Sequence, residues 1–303
     1  MSNSKINLVT GGAGFLGSHL IDELMTRNNE NVICLDDFST GNKNNLSKWL
    51  DHPNFELIDH DITKPIKFKV NKIWHLACPA SPVHYQADPI KTAKTNFLGA
   101  LNMLDLANKN NAKILLASTS EIYGDPEVHP QSESYRGSVN IIGPRSCYDE
   151  GKRISETLFF DYKRKYKTPI RVIRIFNTYG PRMMENDGRV VSNFIVQALK
   201  NKSLTIYGDG SQTRSFCYVD DLVNGIEKVM KSDYTFPVNL GNPQEFTILK
   251  FANLIKNKIN PNINIDFKAL PEDDPLRRKP NIDIAKEKIG WQPFINLSEG
   301  LEK

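Results

Sequence analysis

The run Ile6-Asn7-Leu8-Val9-Thr10-Gly11-Gly12-Ala13-Gly14-Phe15-Leu16-Gly17 decides how the rest of the chain is read. Ile6 to Thr10 is a short apolar stretch of the kind that forms a strand buried on both faces. Amphipathic spacing follows over Gly17 to Arg27 and predicts a helix. Glycines in the turn between them permit a tight bend and close backbone approach. The positive end of the next helix then offers a seat for a pyrophosphate. Glycine trios recur by chance in loops, so the flanking strand and helix carry the argument.

Working outward, the next predicted strand ends in Asp36 and Asp37 about twenty residues further on, where a carboxylate meets the ribose hydroxyls of a bound dinucleotide. A phosphate on that ribose would be repelled by both acids, so NAD is expected in preference to NADP. The competing reading makes the glycines an ordinary turn and the aspartates helix caps. Expected cofactor contacts are Gly11, Gly14, Phe15, Leu16, Gly17, Asp36, Asp37, Asp61, Ile62, Leu76 and Thr95, together with Tyr148 and Lys152.

Further apolar runs at Asn31 to Asp36, Phe55 to Asp59, Lys72 to Leu76, Lys113 to Ser118 and Ile170 to Phe176 alternate with helical patterns at Ile90 to Asn110 and Tyr148 to Lys165. Strands separated by helices imply right-handed crossovers. The expected fold class is therefore α/β, a Rossmann-like, doubly wound parallel sheet with a smaller C-terminal substrate-binding lobe. After Asn177, proline and glycine punctuate shorter elements, at Gly180-Pro181, Gly208 to Gly210, Asn239 to Pro243 and Glu272 to Pro275. The expected division is discontinuous. Residues 1–176 plus about 216–241 form a dinucleotide-binding domain, and about 177–215 plus 242–303 form the second lobe.

Composition narrows the function class. The chain has 303 residues, 39% hydrophobic and 24% charged, enough for a sizeable core and without low-complexity tracts. Its 39 basic and 35 acidic residues are interspersed, so no nucleic-acid surface is indicated. Cys34, Cys78, Cys147 and Cys217 lie far apart, in neither metal-ligand nor disulfide-scaffold spacing, which points to reduced thiols and a cytoplasmic setting. No stretch has the length of a membrane-spanning helix, and no apolar signal region follows Met1 to Lys5. His75 reads as a packed, hydrogen-bonded residue, and no metal is expected.

Tyr148 and Lys152 are four apart, so on a helix their side chains share one face. An ammonium beside a phenol favours the phenolate and lowers its pKa, which would make Tyr148 a base near neutrality. Ser118-Thr119-Ser120-Glu121 stands at the carboxyl end of a predicted strand, where doubly wound sheets hold their ligands.

The ordered set Thr10 to Gly17, Ser118 to Gly124, Tyr148 to Lys152 and Arg174 to Pro181 resembles the extended short-chain dehydrogenase/reductase family over nearly the whole chain. The resemblance implies hydride chemistry on nucleotide-linked sugars, with Thr119, Tyr148 and Lys152 as the catalytic Ser/Thr, Tyr and Lys. Sugar 4,6-dehydratases of that family carry Thr-Asp-Glu after the fifth strand. Here the run is Thr119-Ser120-Glu121, so the expected proton donor for dehydration is missing.

The runs Ser118 to Glu133, Gly143 to Arg153 and Asn186 to Asn193 are similar to the UDP-glucuronate decarboxylases. That likeness implies roles for Glu121 and for Arg278, within Arg277-Arg278-Lys279-Pro280. UDP-glucuronate is the implied substrate and a homodimer the implied assembly. The same likeness implies Asn177, Arg189, Tyr207, Arg214 and Arg278 as substrate contacts, Arg214 on the diphosphate, with Lys94 and Asn102 as further candidates. Alternatives are a 4-epimerase or 4,6-dehydratase of the same fold, or a dinucleotide-binding regulator without catalysis.

Overall fold

The computed structural model describes residues 5–27, 30–271 and 275–303. Residues 1–4 of the N-terminal lead and 272–274 of the turn expected at Glu272 to Pro275 lie outside them. Strands β1 (Ile6–Thr10), β2 (Asn31–Asp36), β3 (Phe55–Asp59), β4 (Lys72–His75), β5 (Lys113–Thr119) and β6 (Ile170–Ile175) fall where the apolar runs predict, within a residue at each end. Between them lie helices α1 (Phe15–Arg27), α2 (Pro82–Ala87), α3 (Pro89–Lys94), α4 (Ala100–Asn110) and α5 (Ser146–Tyr166). Leu76 and Phe176 fall just past the strands, their amides closing the last rungs, Leu76 to the Thr10 carbonyl and Phe176 to the Leu240 carbonyl.

The expected helix Ile90 to Asn110 is three joined pieces. Asp88 caps its start by accepting from the Lys91 amide at 2.9 Å, and a widened turn at Thr95–Gly99 separates α3 from α4. Asn111, in the left-handed region, ends it.

Later elements are β7 (Thr178–Tyr179), α6 (Val190–Leu199), β8 (Leu204–Tyr207), β9 (Thr213–Ser215), β10 (Cys217–Tyr218), α7 (Val219–Lys231), β11 (Val238–Leu240), β12 (Glu245–Thr247), α8 (Ile248–Ile259), β13 (Ile265–Lys268) and β14 (Arg277–Arg278). The main sheet has seven parallel strands in the order β11-β6-β5-β4-β1-β2-β3. The order reverses between β1 and β4, which opens a crevice at the carboxyl ends of the strands. Among the described residues, late segments also make three small sheets, β10-β7, β12-β9-β14 and β13-β8.

Side-chain alternation along each strand fills two separate cores. Leu8, Ile73, Ile114, Leu116 and Val172 face Met103, Leu104 and Phe159 of α4 and α5. Their neighbours Val9, Trp74, Leu115 and Ile173 face Leu20, Ile21 and Leu24 of α1 and Leu222 and Ile226 of α7. The second core continues without a break into the late segments through Phe194, Phe216 and Phe251.

A buried ion pair crosses the first core's edge. Arg174 on β6 meets Glu156 on α5 with Nη2 to Oε2 at 2.8 Å and Nε to Oε1 at 3.1 Å, and its Nη1 donates to Tyr123 Oη at 3.0 Å. Removing one member strands a buried charge, which costs about 3–5 kcal/mol. Arg174→Met is therefore expected to lose stability on that scale in urea titration, and the double change Arg174→Met with Glu156→Leu to recover most of it. Equal loss in the single and double variants would contradict the pairing.

Candidate active site

The crevice over the strand ends is a cleft of about 520 Å³. Gly11, Gly14, Phe15, Leu16 and Gly17 form one wall, Asp36, Asp37, Asp61 and Ile62 the next, and Thr119, Glu121, Tyr148, Lys152, Asn177 and Arg189 the far end, with Leu76 and Thr95 between. All expected cofactor contacts thus share one space.

The glycine turn is shaped by close approach. Gly11 has φ of +71°, and a Cβ there would lie 2.8 Å from Ala77 Cα. A Cβ on Gly17 would overlap Gly11 O and Gly12 Cα, backbone atoms that cannot move independently of β1. Asp36 holds the turn's far side, accepting from the Ala13 amide at 2.8 Å and the Phe38 amide at 2.9 Å. A pyrophosphate at the start of α1, with a ribose against Asp36 and Asp37, fits this cradle. Asp37 is also paired with Lys91 Nζ at 2.8 Å.

Thr10 Oγ1 and His75 Nδ1 hydrogen-bond at 2.9 Å, and the Ala77 amide donates to the same hydroxyl at 3.2 Å. Burial pushes the His75 imidazole down to about 3, with the Lys152 charge adding to it, so His75 is neutral and the direction of its bond to Thr10 follows its tautomer. Its part is to hold the end of β4 against β1.

Tyr148 and Lys152 share the inner face of α5, as their spacing predicts. Lys152 is 3% exposed, and its Nζ donates to the Ala117 carbonyl at 2.9 Å, 5.8 Å from the Tyr148 ring centroid. Tyr148 lies flat on Tyr85 of α2, with ring centroids 4.9 Å apart and planes 2° from parallel. Thr119 lies near enough to the phenol to favour its charged form, and its own Oγ1 accepts from the Glu121 amide at 3.2 Å.

The expected lowering of the Tyr148 pKa is corrected here. Burial drives it well above its ordinary value, Cys78 and Glu121 push the same way, and Thr119 and the Arg189 charge offset only part. Burial likewise pulls Lys152 down. Desolvation disfavours both charged forms more strongly than their proximity favours them.

Glu121, at the end of β5, is clamped. Its Oε2 accepts from Arg145 Nη2 at 2.9 Å, and its Oε1 lies 3.5 Å from Arg278 Nη1. Burial alone would raise this carboxyl, but Arg145 and Arg278 together hold it below the usual carboxylate range. Arg278 is delivered from β14, in register with Arg214 on β9, and is 5% exposed.

Other expected substrate contacts fall elsewhere. Lys94, Asn102, Tyr207, Arg214 and Arg278 are outside the cleft lining, Arg278 reaching it only through its contact with Glu121. Asn102 Nδ2 donates to the Ile62 carbonyl at 2.9 Å and so fixes a cleft residue from behind, while Tyr207 is 42% exposed on β8. Arg214 Nη1 donates to the Thr213 carbonyl at 2.9 Å.

Three site residues escaped sequence reading: Arg145, Asp149 and Tyr85. Arg145, Tyr148, Asp149 and Lys152 recur at i, i+3, i+4 and i+7, the stripe that one helix face presents, so the first two had a signal in the spacing. Tyr85 had none.

Gly17→Ala is expected to lower stability by roughly 1–3 kcal/mol through overpacking. It should also weaken dinucleotide binding at least tenfold (~1.4 kcal/mol) in a fluorescence titration. Unchanged affinity would show that the turn does not seat the pyrophosphate.

The family model described as GDP-mannose 4,6 dehydratase matches residues 8–303. UDP-glucuronic acid decarboxylase 6 of Arabidopsis thaliana is 58% identical over 300 residues, covering 99% of this chain and 87% of the relative. UDP-glucuronic acid decarboxylase 1 of Xenopus tropicalis is 57% identical over 296 residues, covering 98% of this chain and 70% of the relative. Among solved structures, UDP-glucuronic acid 4-epimerase from Bacillus cereus, in complex with UDP-glucuronic acid and NAD, has a TM-score of 0.88 at 26% identity, covering 98% of this chain and 96% of that one. The chain therefore belongs to the GDP-mannose 4,6 dehydratase family and, within it, to the UDP-glucuronic acid decarboxylases.

Proposed function

We propose that the protein converts UDP-glucuronate to UDP-xylose by oxidation at C4, loss of carbon dioxide and reduction at C4. The observation that carries this reading is the clamped Glu121 carboxylate beside Tyr148. Position 120 is serine, and two guanidinium groups keep Glu121 ionised, so the strand end offers the cleft no acid for expelling a hydroxyl. A site without that acid suits loss of carbon dioxide, which needs no protonated leaving group. The relatives at 57–58% identity support the same reaction.

The glycine turn, Asp36 and Asp37 are the residues that would hold NAD, which when bound would supply the acceptor for the C4 hydride and the hydride for the final reduction. Tyr148 takes the C4 hydroxyl proton. Its high pKa in the unliganded cleft means that this role depends on positive charge brought in on binding, with Lys152 and Thr119 fixing the phenol. The ketone at C4 lies beta to the C6 carboxylate, so the C5–C6 bond breaks with its electron pair passing into an enolate. Arg278 and Arg145 place positive charge beside that developing anion. A proton is then taken up at C5, and Tyr148 returns its proton to the C4 oxygen.

Arg189, whose Nη2 donates to Asp187 at 2.8 Å, and Asn177 stand at the cleft's far end as candidate contacts to the nucleotide sugar. Arg214 and Tyr207 are proposed to engage the diphosphate and nucleotide where the late segments meet the cleft. We assign cofactor binding to residues 1–176 plus about 216–241 and substrate binding to the remainder. Entry of β11 into the main sheet, with β8, β9 and β12 to β14 outside it, supports that division. A cytoplasmic homodimer is the assembly we propose. Four free cysteines support a reducing compartment, and Ile90, Phe97, Ile154 and Tyr166, exposed on α3, the following turn and α5, support the pairing surface.

Incubation with NAD and UDP-glucuronate labelled with carbon-13 at C6 tests the reaction. Labelled carbon dioxide and UDP-xylose are expected. A six-carbon sugar with its label intact would overturn the reading in favour of an epimerase. Tyr148→Phe is expected to lower kcat on the order of 10²–10⁴-fold, the scale of general acid–base catalysis, while NAD still binds.

A further inference from the structure

Behind Glu121 lies a second carboxyl that the proposed reaction does not use. Asp149 is 7% exposed and follows Tyr148 on α5. Its side chain hydrogen-bonds the Glu121 carboxyl. Two bare carboxylates cannot make that contact, because neither has a hydrogen to donate. One proton must lie between them. The two arginines sit on Glu121, so Glu121 is the member that gives the proton up.

The burial of Asp149 favours a proton on the same residue. Its Oδ1 is fully buried and has no hydrogen-bond partner among the described residues. An anion with an unsatisfied buried oxygen is far costlier than a neutral acid. The position in the first turn of α5 opposes this by favouring negative charge, but only by about 0.3–1 kcal/mol. Burial and the adjoining Glu121 anion outweigh it and raise the Asp149 carboxyl, with Arg145 and Arg278 countering in part.

We propose that Asp149 is a positioning residue that stays protonated in the working enzyme, donates its hydrogen to Glu121, and thereby fixes the Glu121 carboxylate in its clamp. This rests on the reaction proposed above. Asp149 lines a small cavity of about 60 Å³ with Gly124, Asp125, Ser138, Arg145 and Arg278, on the side of Glu121 away from the main cleft. It therefore acts through Glu121 and does not touch the sugar.

The charged and titratable groups around Asp149 are Glu121 from the turn after β5, Tyr85 from α2, Arg278 from β14 and Asp125 from the adjoining loop. Arg145, Cys147 and Tyr148 lie beside it on its own segment. As pH rises through the raised Asp149 value, the cluster gains a second anion. The hydrogen bond to Glu121 is lost, the two carboxylates repel, and the clamp opens. Activity should therefore fall on the alkaline side through Asp149.

Two variants and one spectrum test this. Asp149→Asn keeps a donor of the same shape that cannot ionise, whereas Asp149→Ala removes it. Asp149→Ala is expected to lower kcat about tenfold, the scale of one hydrogen bond to a charged group. Asp149→Asn should restore most of that loss and move the alkaline limb of kcat/KM to higher pH. A limb that stays in place in Asp149→Asn, or an amide as damaging as alanine, would overturn the proposal. Infrared spectra of the resting protein give a readout that needs neither folding of a variant nor turnover. A protonated-carboxyl stretch is expected at neutral pH, lost on alkaline titration and missing in Asp149→Asn if that variant folds. Its absence from the wild-type protein at neutral pH would overturn the proposal. Should the wild type release no carbon dioxide from UDP-glucuronate while showing that band, the proposed reaction fails and the protonated Asp149 stands.

Discussion

The Glu121 carboxylate is held by charges that arrive from distant parts of the chain. Arg145 comes from the start of α5 and Arg278 from β14, beyond the last long helix, and both converge on a residue in the turn that follows the central strand β5. A buried carboxylate without partners would be expelled or neutralised. Docking of the late segments is thus coupled to the charge state of the strand end. The shared core from Val9 through Phe216 to Phe251 supplies the apolar side of the same coupling.

Desolvation sets the character of the whole site. It raises Tyr148, lowers Lys152 and His75, and would raise Glu121 if the arginines were removed. Where partners are strong the charge survives, as at Glu121. Where they are not, the neutral form prevails, as at His75 and in the unliganded Tyr148. The Tyr148 phenol is consequently held neutral in the empty cleft, and the role proposed for it depends on what binds there. Such an arrangement limits side reactions when no substrate is present.

The first six strands and their helices were legible because period and glycine placement act locally. A strand buried on both faces, a turn that only glycine fits and a helix with one apolar stripe each leave a mark within a short window. Tyr148 and Lys152 were readable for the same reason, being one helical turn apart. Tyr85 left no mark, because stacking on Tyr148 depends on how α2 lies across α5. The Tyr148 pKa was misjudged because sequence shows the neighbouring ammonium and hides the burial. Lys94, Asn102, Tyr207, Arg214 and Arg278 lie outside the cleft lining, a placement that depends on how distant segments pack and leaves no mark in local spacing.

The proposed reaction depends on transient oxidation of the sugar at C4, with NAD as the hydride acceptor and the Tyr148 phenol, buried beside Lys152, as the base. UDP-glucuronate carrying deuterium at C4, turned over in ordinary water with unlabelled NAD, tests it most directly. Retention of the deuterium at C4 of the pentose product is predicted, because the same hydride leaves and returns inside a closed cleft. Pentose formed with the label lost to solvent, or formed at the same rate with labelled and unlabelled sugar in single turnover, would contradict it.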